Sequence, residues 1–389
     1  MPSDLAQAGP RPLLGDAQRI VVKLGTQVVT QDARSLALGR LMSLVEEMAL
    51  LRLEGRQIVL VSSGAVALGM KQLGLEERPR SLGLRQACAA VGQGHLVGLY
   101  TSAFAQFGIT AAQVLLTESD LGDRDRALCV RTTLMRLLEL RAVPVLNEND
   151  SVSIRELVEH RRSQGASTEA PAFGDNDGLS ARVAIGVDAD LLVLLTDVDG
   201  LYTADPRTDP DARRIDVLDA ETPQLGGTGM GGTGGMVSKL EAARLASRSG
   251  VTAVIASGST PGVLRRILSN EPLGTCVPPA ERRAVRRQRI AVAPHTGALV
   301  ANDGALSALE GGRASLLPIG VVAVEGEFRE GDVVEIRDVS GRVRGRGLVN
   351  YDARACRALV GRHSEEIEDL LGWRGYDALV TRDNLVVGS

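Results

Sequence analysis

The chain has 389 residues, 44% hydrophobic and 24% charged, with a formal net charge of −4. That length allows two or three domains, and the balance fits an ordinary globular class, not a general binder of nucleic acid or membrane. Cys88, Cys129, Cys276 and Cys356 stand far apart with no C-x-x-C pair, and the four histidines are equally scattered, so neither a disulfide framework nor a metal site built from them is expected. Reduced, buried thiols in the cytoplasm are the simplest reading. No run approaches the roughly 20 apolar residues that span a bilayer.

Residues 1–17 hold proline and glycine but no long apolar stretch, and read as a disordered leader, not a signal peptide. From about residue 19, short β-branched runs alternate with helical stretches. Ile20-Val21-Val22 and Ile58-Val59-Leu60-Val61 read as buried strands. Between them, 36–54 has helical spacing, with Gly55 as its C-cap. The strand signal returns at 114–116 and 143–146, around a helical stretch at 131–140. Then 179–185 reads as helix, 191–195 as strand, 239–249 as helix and 251–255 as strand. Continuous apolar strands alternating with helices predict an α/β fold, with a mostly parallel sheet sandwiched by helices. Ligands bind such sheets beyond the carboxyl ends of the strands.

The character changes at the charge run 281–289, which holds five arginines and reads as solvated linker. Downstream, glycine-punctuated β structure includes a hairpin: Val333 to Arg337, a Ser340-Gly341 turn, then Val343 to Val349. The expected organisation is a first domain over 18–265 and a linker over 266–286. A small β-rich domain follows over 287–366, with a C-terminal extension over 367–389 packed on it.

Polar groups gather where ligands are expected. Lys23 follows the first strand, Ser62-Ser63-Gly64 the second, Asn147-Glu148-Asn149-Asp150 the fourth and Thr196-Asp197 the next. Helix N-capping accounts for any one such loop, but not comfortably for all of them. Gly174-Asp175-Asn176-Asp177 adds a second acidic-amide cluster, whose acids also suit capping ahead of Leu179. The glycine-rich run 226–236 leads to Lys239 at an expected helix start, where backbone N–H groups can cradle an anion. Lysines and glycines for phosphate, plus acids for an ammonium group, suggest a kinase for a small amino-acid-like molecule. A carboxylate acceptor is already nucleophilic at neutral pH, so such a kinase needs no general base. Asp150 suits a substrate α-ammonium, and Asp177 suits a place between Lys23 and Lys239. No G-x-x-x-x-G-K-[ST], H-R-D or D-F-G sequence occurs, so neither the P-loop nor the protein-kinase pattern applies.

These pieces carry a resemblance. Val21 to Thr26, Val61 to Ala65, Asn147 to Asp150, Gly174 to Asp177, Leu195 to Asp197 with Gly200 to Tyr202, and Gly232 to Met236 with Lys239 are similar, in order, to the glutamate 5-kinases. Asp303 to Ala305, Ser315 to Gly320 and Gly347 to Tyr351 resemble the PUA domain appended to many bacterial members. The resemblance implies an amino-acid-kinase fold that phosphorylates the side chain of L-glutamate with ATP and Mg²⁺, the first step of proline synthesis, with no metal held by the protein. It assigns Lys23, Lys239 and Asp177 to catalysis, and Ser63, Asp150 and Asn176 to glutamate. ATP falls to Lys23, Thr196, Asp197, Thr233, Gly234, Gly235, Met236, Val237, Ser238 and Lys239. It further implies feedback inhibition by proline, glutamyl phosphate reductase as the next enzyme, and a homo-oligomer, dimer or tetramer. One rival reading is another amino-acid kinase, acting on acetylglutamate, aspartate or uridylate; a rival from a different class is RNA binding through the PUA domain, with the 282–289 arginines as its patch. Two stretches depart from the family pattern: 155–172 is longer than expected, which bears on proline sensitivity, and the glycines before Thr233 are extended.

Overall fold

The apolar runs around 20–22, 58–61, 143–146, 191–195 and 251–255 become strands buried on both faces, while the run at 114–116 ends a partly buried edge strand, and the order of these strands sets the position of everything polar. The computed structural model describes residues 11–31, 35–77, 79, 81–152, 176–206, 208–218, 234–279, 290, 293–310, 314–373 and 375–387. Two units divide the chain, Met1–Ala280 and Glu281–Ser389. In the first, β1 (Arg19–Leu24), β2 (Gln57–Ser62), β3 (Ala111–Leu116), β4 (Val143–Glu148), β5 (Leu191–Thr196), β6 (Thr252–Ser257) and β7 (Thr275–Val277) form one sheet. Their spatial order is β3-β4-β2-β1-β5-β6-β7, parallel throughout except for the antiparallel β6–β7 pair.

Alternation along the strands sorts residues to two apolar layers. Ile20, Val22 and Leu24 join one layer with the helices Leu38–Leu53 and Leu82–Ala105, through Leu41, Leu44, Met48, Leu96 and Tyr100. Val21, Val59, Leu192 and Leu194 face the other, packed on the helices Asn176–Gly186 and Gly234–Arg248 through Ala181, Ala184, Leu240 and Ala243. Lys23 falls two residues after Val21. Its side chain is therefore directed toward that second pair of helices.

In the second unit, β8 (Gly297–Ala301), β9 (Val321–Gly326), β10 (Val333–Arg337), β11 (Val343–Leu348) and β12 (Leu385–Val387) form a sheet in the order β12-β11-β10-β8-β9. The expected hairpin is β10–β11. Asp338 closes its turn by accepting from the N–H groups of Ser340 and Arg342, and Gly341 takes φ +83. β8 runs parallel to β10, a pairing that no hairpin signal announces.

Several expectations need correction. The leader is not disordered from residue 11: Leu14 is buried, its N–H donates to Asn270, and Arg11 donates to the Leu273 carbonyl. The segment expected as linker from 266 contributes the end of the helix Val263–Leu268 and all of β7, which extends the sheet, so the first unit runs well past 265. At the C-terminus, β12 is a member of the second sheet, paired with β11. The glycines that mask helical propensity also hide a helix start: the helix expected at Lys239 begins at Gly234. The helix Leu82–Ala105, the longest among the described residues, carries no clear sequence signal because its small residues and glycines break up the apolar period. Cys129 is exposed, whereas Cys88, Cys276 and Cys356 are buried; all four are free thiols. Gly174, Asp175, Thr233, the loop 155–172, the glycines 226–232 and the run 281–289 lie outside the described residues.

Candidate active site

The four central strands, β4-β2-β1-β5, lie side by side, and each carries a polar residue at or one place before its end: Glu148, Ser62, Lys23 and Thr196. Lys23 lies level with Val61 on β2 and Leu194 on β5. It is 4% exposed, an expensive place for an ammonium group without a partner. The partner is Asp177, fully buried in the first turn of the helix Asn176–Gly186, whose Oδ1 pairs with Lys23 Nζ. Its Oδ2 accepts from Lys239 Nζ at 3.2 Å and from Ser238 Oγ at 3.0 Å. Lys239 also donates to the Gly235 carbonyl, 3.0 Å away within its own helix. One carboxylate thus spaces two lysines from different elements. A Cβ on Gly25 would meet the Leu195 carbonyl at 3.2 Å and Lys23 Nζ at 3.8 Å, so glycine keeps the backbone close to the lysine.

Asn176, one residue before Asp177, points to the neighbouring strand ends. Its Nδ2 lies 3.1 Å from the Ser62 carbonyl, 2.9 Å from Ser63 Oγ and 2.9 Å from Asn147 Oδ1. Asn147 follows Val145 by two residues and so shares its face, where its Nδ2 donates to Gln93 Oε1 at 2.5 Å. Ser62 Oγ bonds Tyr100 OH at 2.7 Å; burial pushes that phenol well above its usual range, so it stays protonated. Both Gln93 and Tyr100 belong to the helix Leu82–Ala105, which reaches the site by close crossing. A Cβ on Gly92 would sit 1.8 Å from the Ala65 carbonyl, and one on Gly69 1.7 Å from the Cys88 carbonyl. Gly64, at φ +105, turns the chain from β2 into the helix Ala65–Gln72.

The composite is two adjoining clusters, a cationic one and an amide-hydroxyl one, joined through consecutive residues 176 and 177. The amino acid kinase family model matches residues 18–257, and the PUA domain model matches 297–371. The glutamate 5-kinase of Moorella thermoacetica is 45% identical over 384 residues, covering 97% of this chain and 98% of its own length. This chain belongs to the glutamate 5-kinase family. The glutamate 5-kinase of Pseudomonas paraeruginosa is 47% identical over 378 residues, covering 95% of this chain and 98% of its own. Among solved structures, an isopentenyl phosphate kinase of T. acidophilum aligns with 67% of this chain and 99% of its own, at 19% identity and a TM-score of 0.45.

Of the residues that the family resemblance singles out, the structure brings Lys23, Asp177, Ser238 and Lys239 into one cluster, and Ser63 and Asn176 into the other. Asp150 is partly buried in the turn just after β4, three residues beyond Asn147. Thr196 is buried at the end of β5 and donates to the exposed Asp197 at 3.0 Å. Gly234 and Gly235 open the helix, Met236 packs against the second apolar layer, and Val237 is exposed. Sequence reading places Ser62 and Asn147 among the polar strand ends without giving either a specific role, and does not single out Gln93 or Tyr100. Asn147 had a visible signal, an amide closing an apolar strand, but Gln93 and Tyr100 sit in the unrecognised helix. Among the described residues, no group of three His, Cys, Asp or Glu side chains could hold a metal ion, and no helix is long and apolar enough to cross a membrane.

Proposed function

We infer that the chain transfers the terminal phosphoryl group of ATP to the side-chain carboxylate of L-glutamate, giving L-glutamyl 5-phosphate, the first step of proline synthesis. The observation that carries this reading is the pair Lys23 and Lys239, spaced by Asp177 at the strand ends beside an amide-hydroxyl cluster. Phosphoryl transfer asks for positioning and for positive charge on the transferred oxygens. Lys23 and Lys239 supply that charge, and Asp177 holds them before substrate arrives. The first-turn N–H groups of the helix Gly234–Arg248 point at anionic oxygens, so Gly234, Gly235, Met236, Val237 and Ser238 line the ATP side, with Thr233, Thr196 and Asp197. Ser63, Asn176 and Asp150 hold glutamate, Asp150 as the counter-charge to its α-ammonium.

Magnesium fits this site as the ATP complex. With Asp177 engaged by two lysines, the cation would take its ligands from phosphate oxygens and water, its usual preference. Proline shares the α-amino and α-carboxylate groups of glutamate but lacks the phosphate acceptor, so it competes for the same subsite as a feedback inhibitor. We place the enzyme in the cytoplasm as a homo-oligomer, dimer or tetramer, passing product to glutamyl phosphate reductase. The second unit is its PUA domain, and RNA is that domain's candidate partner. The direct test is ATP-dependent formation of a hydroxamate from glutamate, run beside acetylglutamate and aspartate, with uridylate tested for phosphate transfer. Turnover of glutamate alone supports the reading; preference for another acceptor overturns it.

A further inference from the structure

The polarity of the amide cluster is fixed by backbone groups at two points. The Ser62 carbonyl can only accept, so the group that Asn176 turns toward it is Nδ2. The Glu148 N–H can only donate, and it lies 2.9 Å from Asn147 Oδ1, so Asn147 turns its oxygen that way. The same oxygen accepts from Asn176 at 2.9 Å. This leaves Asn147 Nδ2 on the far side, buried, with Gln93 Oε1 as its acceptor at 2.5 Å. The three amides run head to tail from Gln93 through Asn147 to Asn176. At the end of that chain, Asn176 Oδ1 is buried and has no partner among the described residues. A buried acceptor in that state calls for a donor from a ligand.

We propose that Gln93 is a positioning residue for the amino-acid substrate: it anchors Asn147, which fixes the Asn176 amide so that Oδ1 is presented as an acceptor to the substrate ammonium group. This rests on the reading of Asn176 as a glutamate contact. Gln93 bonds Asn147 and neither the lysines nor Asp177, and its place on the helix is held by the Gly92–Ala65 crossing. Without the Gln93 acceptor, Asn147 Nδ2 is buried unpaired, and the amide turns or shifts to find another partner, taking the Asn176 anchor with it. The consequence is selective: binding of glutamate weakens, while binding of ATP does not.

The test is a double-substitution cycle in the full-length enzyme, reading KM for glutamate and for ATP. Gln93→Met should raise KM for glutamate about fivefold to tenfold, the loss of one hydrogen bond's worth of positioning, with KM for ATP within about twofold. Gln93→Glu, whose carboxylate still accepts from Asn147, should recover most of that loss. In an Asn176→Ala background, Gln93→Met should add less than about twofold, because its route to the substrate is already gone. Equal effects on both substrates, fully additive effects, or no recovery in Gln93→Glu would overturn the positioning role. An unchanged KM in Asn176→Ala would overturn the underlying assignment of Asn176. A raised KM there with an unchanged one in Gln93→Met would overturn the role of Gln93 alone. Asn147→Leu removes the middle amide and should give the same split between substrates, which covers the case of a Gln93→Met protein that fails to fold.

Discussion

Asp177 in the first unit and Glu335 in the second are both buried carboxylates surrounded by cations, and the cations differ in kind. Asp177 meets two lysines and a serine, from β1 and the helix Gly234–Arg248. Glu335, in the middle of β10, accepts from Arg337 at 3.0 Å and 2.7 Å, with Arg346 and His295 each 3.5 Å away. An arginine fork is planar and locks one carboxylate geometry, whereas a lysine ammonium is a compact charge on a long stem that can turn to another anion. Location completes the contrast. Glu335 lies along a strand with its partners beside it on the sheet, while Asp177 lies at the strand ends, where this fold accepts ligands. A buried ion cluster is weak evidence for stability in either place. On the proposed reading the lysine cluster hands its charge to a phosphate, whereas the arginine cluster stays closed.

The contrast can be broken at either end. The largest expected effect is at Asp177, where Asn leaves two buried ammonium groups without their carboxylate. Breaking such a pair costs about 3–5 kcal/mol, and urea unfolding of the first unit, followed by circular dichroism, should show it. A wild-type midpoint would mean that Asp177 does not hold the lysines. Next comes Asp150→Ala, which removes the proposed counter-charge of the substrate ammonium. A loss of about 2–5 kcal/mol in glutamate binding is expected, read as a raised KM for glutamate with KM for ATP little changed. Equal changes for both substrates would instead indicate a general defect.

Glu335→Gln sharpens the comparison from the other side. It should cost the second unit about 1.5–3 kcal/mol, the worth of hydrogen bonds to a charged group, and leave kcat and both KM values alone. Trp373, the single tryptophan, has its ring 5.4 Å from that of Tyr351 and reports unfolding of this unit by fluorescence. Altered KM values with an unshifted melt would assign Glu335 to the wrong side of the contrast. The smallest effect is in pH. The bond from Arg337, then the charges of His295, Arg337 and Arg346, hold the Glu335 carboxyl below its usual range despite burial. Its contribution is therefore fully present above the unfolded-state value near about 4.3, and is lost as pH falls through the lower folded value. The stability gap between wild type and Glu335→Gln should hold above about pH 5 and narrow as pH falls below about 4.3; a constant gap would show that the carboxylate is not what Arg337 holds.

The cationic cluster was legible in the sequence only as a combination: Lys23 at the end of an apolar strand reads by itself as an ordinary solvated end, and the glycine-rich run leading to Lys239 at a helix start is what pointed to phosphate. Its geometry was only half legible. Asp177 and Lys239 were expected near helix starts, but not inside helices whose first turns are built from glycine and asparagine. Gln93 and Tyr100 were invisible, since one amide and one phenol in a helix carry no pattern until Gly69 and Gly92 bring that helix against its neighbour. Glu335 carries the opposite lesson. Alternation with the apolar Val334 and Ile336 is the pattern of a solvent face, yet Glu335 is itself buried and its face is closed by arginines. Periodicity reports which residues share a face, and not what covers that face.

The central claim is that the lysines held by Asp177 carry the phosphoryl group. Lys239→Ala tests it most directly, with ATP-dependent hydroxamate formation from glutamate as the readout and circular dichroism to establish that the variant is folded. Removing a preorganised charge from the transferring group should lower kcat by about a hundredfold or more, with KM for glutamate near its wild-type value. A folded Lys239→Ala enzyme with near-normal kcat would contradict the account.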